Sequence, residues 1–136
     1  MKITCLKNHF KEAINLCERI TGKNLSLPIL NNVLISTDNR ILRFTATNLE
    51  LGIEVEVPAK IEKKGKLAVP AGIINNFLAN LAGDENITLE EQNNNLFIST
   101  SNSSTLIKGQ SPDDFPILPK IKSENPILIP INDFIS

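Results

Sequence analysis

Apolar and polar positions change period along this chain, and the changes come in a repeating order. Residues 2–6 form a short apolar run. Behind it Phe10, Ala13, Ile14, Cys17 and Thr21 recur at helical spacing, with Asn8, Glu12, Asn15 and Arg19 on the other side, the signature of an amphipathic helix. After a Gly-containing loop, strands are predicted at 29–37, 40–47 and 49–57. Thr37-Asp38-Asn39-Arg40 predicts a tight turn, because Asp and Asn tolerate positive φ. The third strand alternates: Leu49, Leu51, Ile53, Val55 and Val57 face one way, Glu50, Glu54 and Glu56 the other.

The order then starts again. Residues 66–69 predict a strand, and Pro70 stands where proline suits the first turn of a helix. Ile73, Ile74, Phe77, Leu78 and Leu81 make the helical stripe, ended by Gly83. Strands are expected at 86–91, 96–100 and 103–109, separated by the Asn-rich turn at 92–95 and by Ser101-Asn102. The chain reads βαβββ twice, over 1–60 and 66–110. The strand-to-helix corners KITCLKNHF (2–10), KLAVPAGII (66–74) and PILIPINDF (126–134) align: Ile3 with Leu67 and Ile127, Cys5 with Val69 and Ile129, Phe10 with Ile74 and Phe134. Such self-similarity indicates internal duplication. The stretch 112–126 holds four prolines and reads as a connector. The expected layout is a first domain over 1–122 and, from 123 to 136, the start of a second domain that is cut short. The fold class expected is α+β, with the two helices packed through their apolar stripes on one face of antiparallel sheets.

Composition narrows the function. The 136 residues are 41% hydrophobic and 21% charged, an ordinary globular balance. A net charge of −1 argues against holding nucleic acid by bulk charge. The N-terminus MKITCLKNHF lacks the basic-then-apolar order of a signal peptide, and no apolar run reaches the ~18 residues of a membrane helix. Cys5 and Cys17 give neither a disulfide framework nor metal-ligand spacing; both fall on apolar faces and read as buried free thiols in a reducing, cytoplasmic setting. The sequons at Asn24, Asn86 and Asn102 are then chance products of an Asn-rich sequence.

Catalytic signals are weak. The acidic pairs Asp113-Asp114, Asp84-Glu85 and Glu90-Glu91 sit in or beside turns and connectors with no converging partner, and His9 has no Ser or Cys partner. There is no Gly-rich phosphate loop and no CxxC, so neither an enzyme nor a cofactor is expected. The polar helix faces say more. The first carries Lys11 and Arg19 with Glu12 between them, and the following loop adds Lys23 and Asn24. The second offers Asn75, Asn76 and Asn80. Any surface helix has a polar face, and that is the ordinary reading; the sharper one is a surface that touches phosphates weakly.

The stretches LSLPILNNVLIS (25–36), RILRFTATNLELGIEVEV (40–57), LAVPAGIINNFL (67–78) and DDFPILP (113–119) resemble the bacterial sliding clamp, the β subunit of the replicative DNA polymerase. The similarity keeps order and spacing from residue 1 to about 134. It implies a DNA-clamp-like fold in which each protomer has three such domains. Two protomers join head to tail in a homodimeric ring around duplex DNA, with helices lining the hole and sheets outside. Such a ring would be a non-catalytic processivity factor that tethers the replicative polymerase and is placed by a clamp loader. Heterologous contacts close into a ring when the rotation permits, and sliding calls for interchangeable contacts without base readout.

The resemblance makes Lys11, Arg19, Lys23, Asn24, Asn75, Asn76 and Asn80 the DNA-facing set. Many clamps carry arginine where Asn24 stands beside Lys23, and basic residues where Gly72 and Ile73 follow the V-P-A motif, so weaker DNA contact is implied. It also places the ring interface on the last strand, with Thr105 and Ile107 on one face and Leu106 and Lys108 on the other. The pocket for polymerase peptides would lie mostly beyond Ser136, and this chain alone is expected to be monomeric. The alternative is a protein-interaction module of the same duplicated fold with no DNA role.

Overall fold

The computed structural model describes residues 1–21, 28–48, 51–81 and 86–115. Strand β1 (Lys2–Leu6) runs directly into helix α1 (Lys7–Thr21). A 3-10 helix at Pro28–Asn31 precedes β2 (Asn32–Asp38), β3 (Ile41–Thr47) and β4 (Gly52–Pro58). Strand β5 (Lys60–Lys63) follows, then β6 (Lys66–Pro70), helix α2 (Ala71–Ala79), β7 (Asn86–Gln92), β8 (Asn95–Ser99) and β9 (Ser104–Ile107).

Two antiparallel sheets result, and the duplicated units exchange their first strands. One sheet has the order β4-β3-β2-β6 and the other β5-β1-β7-β8-β9. β6 of the second unit pairs with β2 of the first, Val33 opposite Val69. β1 of the first pairs with β7 of the second, Ile3 opposite Leu89. Each unit therefore completes the other's sheet, and neither half buries its apolar face alone. Ile3 and Leu67, Cys5 and Val69, Phe10 and Ile74 are buried pair by pair, as the aligned corners require.

α1 lies across β2, β3 and β4 and beside α2. Its stripe of Phe10, Ala13, Ile14, Cys17 and Thr21 is buried as predicted. The Phe10 and Phe44 rings pack at 5.5 Å between centroids, tilted by 49°. In α2 the buried residues are Ala71, Ile74 and Leu78; Ile73, assigned to the stripe from sequence, is 54% exposed.

Four local expectations need correction. β5 was not foreseen, because Lys60-Ile61-Glu62-Lys63 offers a single apolar residue; it survives as an edge strand on β1, Ile3 opposite Ile61, where charged side chains suit the unpaired side. The segment read as a strand from Ile29 begins as a 3-10 helix through Asn31. Leu51 precedes β4 and is 44% exposed; Asn48 draws the chain round there, its Oδ1 accepting from the Leu51 N–H at 2.8 Å and its N–H donating to the Leu51 carbonyl at 3.1 Å. The last strand stops at Ile107 rather than Gly109, since the next residues turn to bridge Gln110 to Ala68 on β6.

The sheets close on one another at that bridge. Gln110 N–H donates to the Ala68 carbonyl at 2.8 Å. Gly109 permits the approach, because a Cβ there would stand 2.3 Å from the Asn94 carbonyl and 2.7 Å from that of Ala68. The β7–β8 turn uses Asn93 and Asn94 at φ 53° and 68°, the left-handed pair that a two-residue hairpin favours.

Candidate nucleic-acid interface

The exposed side of α1 is built by default: with one stripe buried, the remaining side chains face outward. Glu12, Asn15, Glu18 and Arg19 are exposed and Lys11 is half-buried. At 1.5 Å per residue, Lys11 and Arg19 stand about 12 Å apart along the axis. Neither makes an ion pair among the described residues, so both cations can meet an external anion.

α2 adds a short, uncharged neighbour. Asn76 and Asn80 are exposed, and the Asn80 Nδ2 donates to the Asn76 carbonyl at 3.1 Å. Asn75 is placed differently. It is half-buried, its Nδ2 donates to Glu18 Oε1, and its Oδ1 is buried with no partner among the described residues. One of the two N–H donors of this amide is thus directed at α1.

Glu18 is the residue sequence reading missed. It puts a carboxylate on the face that also holds the two cations, and it ties the helices together across Gly72. A Cβ at Gly72 would lie 3.2 Å from Glu18 Oε2. The available signal was the absence of a side chain at Gly72 beside an outward-facing acid on the other helix. Lys7 was also missed: it is buried, and its Nζ donates to the Leu81 carbonyl at 3.3 Å, a cation near the C-terminal end of α2, where the helix dipole favours positive charge. Lys23 and Asn24 lie outside the described residues, as do Asp84-Glu85 and the third corner at 126–134.

The second candidate surface is β9. Leu106 is 54% exposed, Ile107 is buried, Thr105 is half-buried and Lys108 is exposed. β9 pairs with β8 on one side, Leu106 opposite Phe97. Its other edge has no strand partner among the described residues. The predicted division of faces holds: Thr105 and Ile107 turn toward the core, Leu106 and Lys108 away.

Reactive chemistry is muted. Cys5 and Cys17 are buried free thiols, and burial pushes both up to about 12. Among the described residues Arg43 is the most paired charge, with Glu56 at 2.9 Å, Asp38 at 3.1 Å and Glu54 at 3.9 Å. Its partial burial opposes the charge, but the bonds and charges of Glu56, Glu54 and Asp38 outweigh it and hold the guanidinium above its usual range. No group of three or more His, Cys, Asp or Glu able to hold a metal occurs among the described residues, and no helix there is long and apolar enough to cross a membrane.

A duplicated α+β unit with paired helices on closed antiparallel sheets and shallow cations on the helix face is the design of a clamp domain. Comparison with known proteins agrees. Residues 1–119 match the family model of the DNA polymerase III beta subunit, N-terminal domain. The beta sliding clamp of Synechococcus elongatus is 31% identical over 126 residues, covering 91% of this chain and 34% of its own length. That of Buchnera aphidicola subsp. Rhopalosiphum padi is 34% identical over 119 residues, covering 85% and 32%. The solved Caulobacter crescentus pol III beta superposes with a TM-score of 0.82 at 25% identity, over 88% of this chain and 32% of that one. This chain belongs to the family of the DNA polymerase III beta subunit, the bacterial beta sliding clamps, and matches its N-terminal domain. It spans about one third of the length of these relatives.

Proposed function

We propose that the protein to which this chain belongs is a replication processivity factor: a ring that encircles duplex DNA and tethers the replicative polymerase without catalysis. Residues 1–122 would form one of its repeated domains. The observation that carries this reading is the pair of adjacent helices, backed by sheets, whose outer face presents Lys11 and Arg19 without ion-pair partners among the described residues.

In this reading Lys11 and Arg19 make the phosphate contacts, and Lys23 and Asn24, which come next in sequence, extend them. Asn76 and Asn80 offer short polar contacts, and Asn75 supports the helix pair through Glu18. A face with two exposed or half-exposed cations, an uncharged neighbour and a carboxylate binds phosphates weakly, and weak, sequence-blind contact is what sliding requires. Thr105, Leu106, Ile107 and Lys108 form this domain's side of a head-to-tail ring interface in the full-length homodimer, with Leu106 as the apolar contact. A clamp loader and a polymerase bind the full-length protein, this chain alone is monomeric, and the setting is the bacterial cytoplasm at the nucleoid.

The test is topological. The full-length protein is loaded on nicked circular DNA, which is then linearised. Release on linearisation is the expected result. Retention on linear DNA would mean an ordinary DNA binder, and indifference to DNA in every form would mean a protein-interaction module.

A further inference from the structure

Away from the helix face and from β9, a groove of about 680 Å³ opens where the two sheets meet beside the start of α1. Its walls come from Thr4, Cys5 and Leu6 of β1, from Asn39 and Arg40 in the β2–β3 turn, and from Pro58, Ala59, Lys60 and Ile61 at the β4–β5 junction, with His9 and Asn86 completing it. These walls are pre-set by backbone pairing. Ala59 N–H donates to the Arg40 carbonyl at 3.0 Å, Thr4 stands opposite Lys60, and Ile41 opposite Pro58. A groove already held in shape loses little freedom on binding.

The lining has two characters. Leu6, Pro58, Ala59 and Ile61 make it apolar, and Leu6 is 46% exposed although it ends a core strand. Arg40 and Lys60 make it cationic, and neither has an ion-pair partner among the described residues. No described lining residue is acidic, and the first turn of α1 has no acidic side chain. The buried Nδ1 of His9 finds no hydrogen-bond partner among the described residues. Positive charge with no ion pair among the described residues, beside an open apolar wall, fits a ligand that is both anionic and apolar.

We propose that this groove docks an acidic segment of a partner protein, seating an apolar side chain against Leu6, Pro58 and Ile61 while flanking carboxylates meet Arg40 and Lys60. Nucleic acid fits less well: the lining has no aromatic ring on which a base could stack, and aliphatic walls offer nothing to a phosphate backbone. The volume lies in the range of ordinary ligand sites. This site is separate from the DNA-facing and ring-interface residues, so its failure would leave the clamp reading untouched.

The test uses the 136-residue chain, labelled with 15N, and the synthetic peptide acetyl-Glu-Leu-Asp-Glu-Ile-Asp-amide. The expected result is a set of shifts centred on Leu6, His9, Arg40, Lys60 and Ile61, with saturable binding. Replacing the peptide's acids by amides should weaken binding by about tenfold or more, over 1.4 kcal/mol. The exposed-residue variant R40E/K60E should lose as much, and Leu6→Ser should lose a smaller factor with its spectrum otherwise intact. Absence of shifts at millimolar peptide overturns the proposal, as do shifts centred on α1–α2 or β9 and undiminished binding to R40E/K60E. A duplex oligonucleotide that shifts these residues where the peptide does not would overturn it in favour of nucleic acid.

Discussion

The two halves of the duplication share an order of elements and divide the work. α1 has 15 residues and α2 has 9. The first brings two cations, unpaired among the described residues, and two acids to the outer face, the second asparagines, Ala79 and an exposed isoleucine. The first half adds an extra edge strand, β5, and the second supplies the Gly109–Gln110 closure onto β6. A repeat needs to preserve what its fold buries, and the aligned positions Ile3/Leu67, Cys5/Val69 and Phe10/Ile74 are all buried. Outward positions carry no such constraint, so the halves can differ there without loss of stability.

The sharpest test of that division is in the core. Phe10→Ala removes a fully buried ring packed on Phe44 and should cost about 3–5 kcal/mol, against about 2–5 kcal/mol for Ile74→Ala. Denaturant midpoints measure both, and a loss well below about 1 kcal/mol, on the order of a surface change, at either position would break the view that burial holds the aligned positions in both halves. Next come the glycines. Gly109→Ala drives a methyl group into two backbone carbonyls and should cost about 1–3 kcal/mol. Gly72→Ala meets only the movable end of Glu18, and the gain in helix propensity offsets that contact, for a change within about 1 kcal/mol.

The thiols probe the first half alone. Both are raised from 9.0 to about 12 by burial, so above pH 9 the unfolded chain ionises while the folded one does not. The stability present below pH 9 should therefore fall as pH rises toward 12, and Cys5→Val, copying Val69 in the other half, should flatten that fall. An unchanged pH profile would argue that Cys5 is not the titrating group. The smallest expected effect concerns charge. In the full-length protein, Arg19→Ala and Lys11→Ala should each lower the salt slope of duplex binding by about 0.9, while Asn76→Ala and Asn80→Ala leave it unchanged. Equal slopes in all four would place DNA on another surface.

Much of this fold is legible in the chain. The period of 3.6 at Phe10, Ala13, Ile14 and Cys17 locates α1, and the alternation at Ile53 and Val57 locates the buried side of β4. Both rest on local spacing, which directly encodes which face is buried. β5 escapes because an edge strand needs backbone partners more than apolar side chains, and its partner β1 lies almost sixty positions earlier. Leu51 misleads because the Asn48 turn removes it from the ladder before alternation can apply.

The candidate site divides in the same way. That Lys11 and Arg19 lie outside the stripe follows from periodicity alone. That Asn75 is held by Glu18, that Lys7 is buried against Leu81, and that Leu6, Arg40 and Lys60 share a groove depends on segments far apart in sequence. By itself the sequence determined most of the elements, their repetition, the main buried faces and, through its likeness to the clamps, the family. Only the tertiary structure decided the exchange of first strands and the close contact of the helices. Spacing along a chain reports the burial of each residue's own face, whereas pairing between distant segments emerges when those faces are packed together.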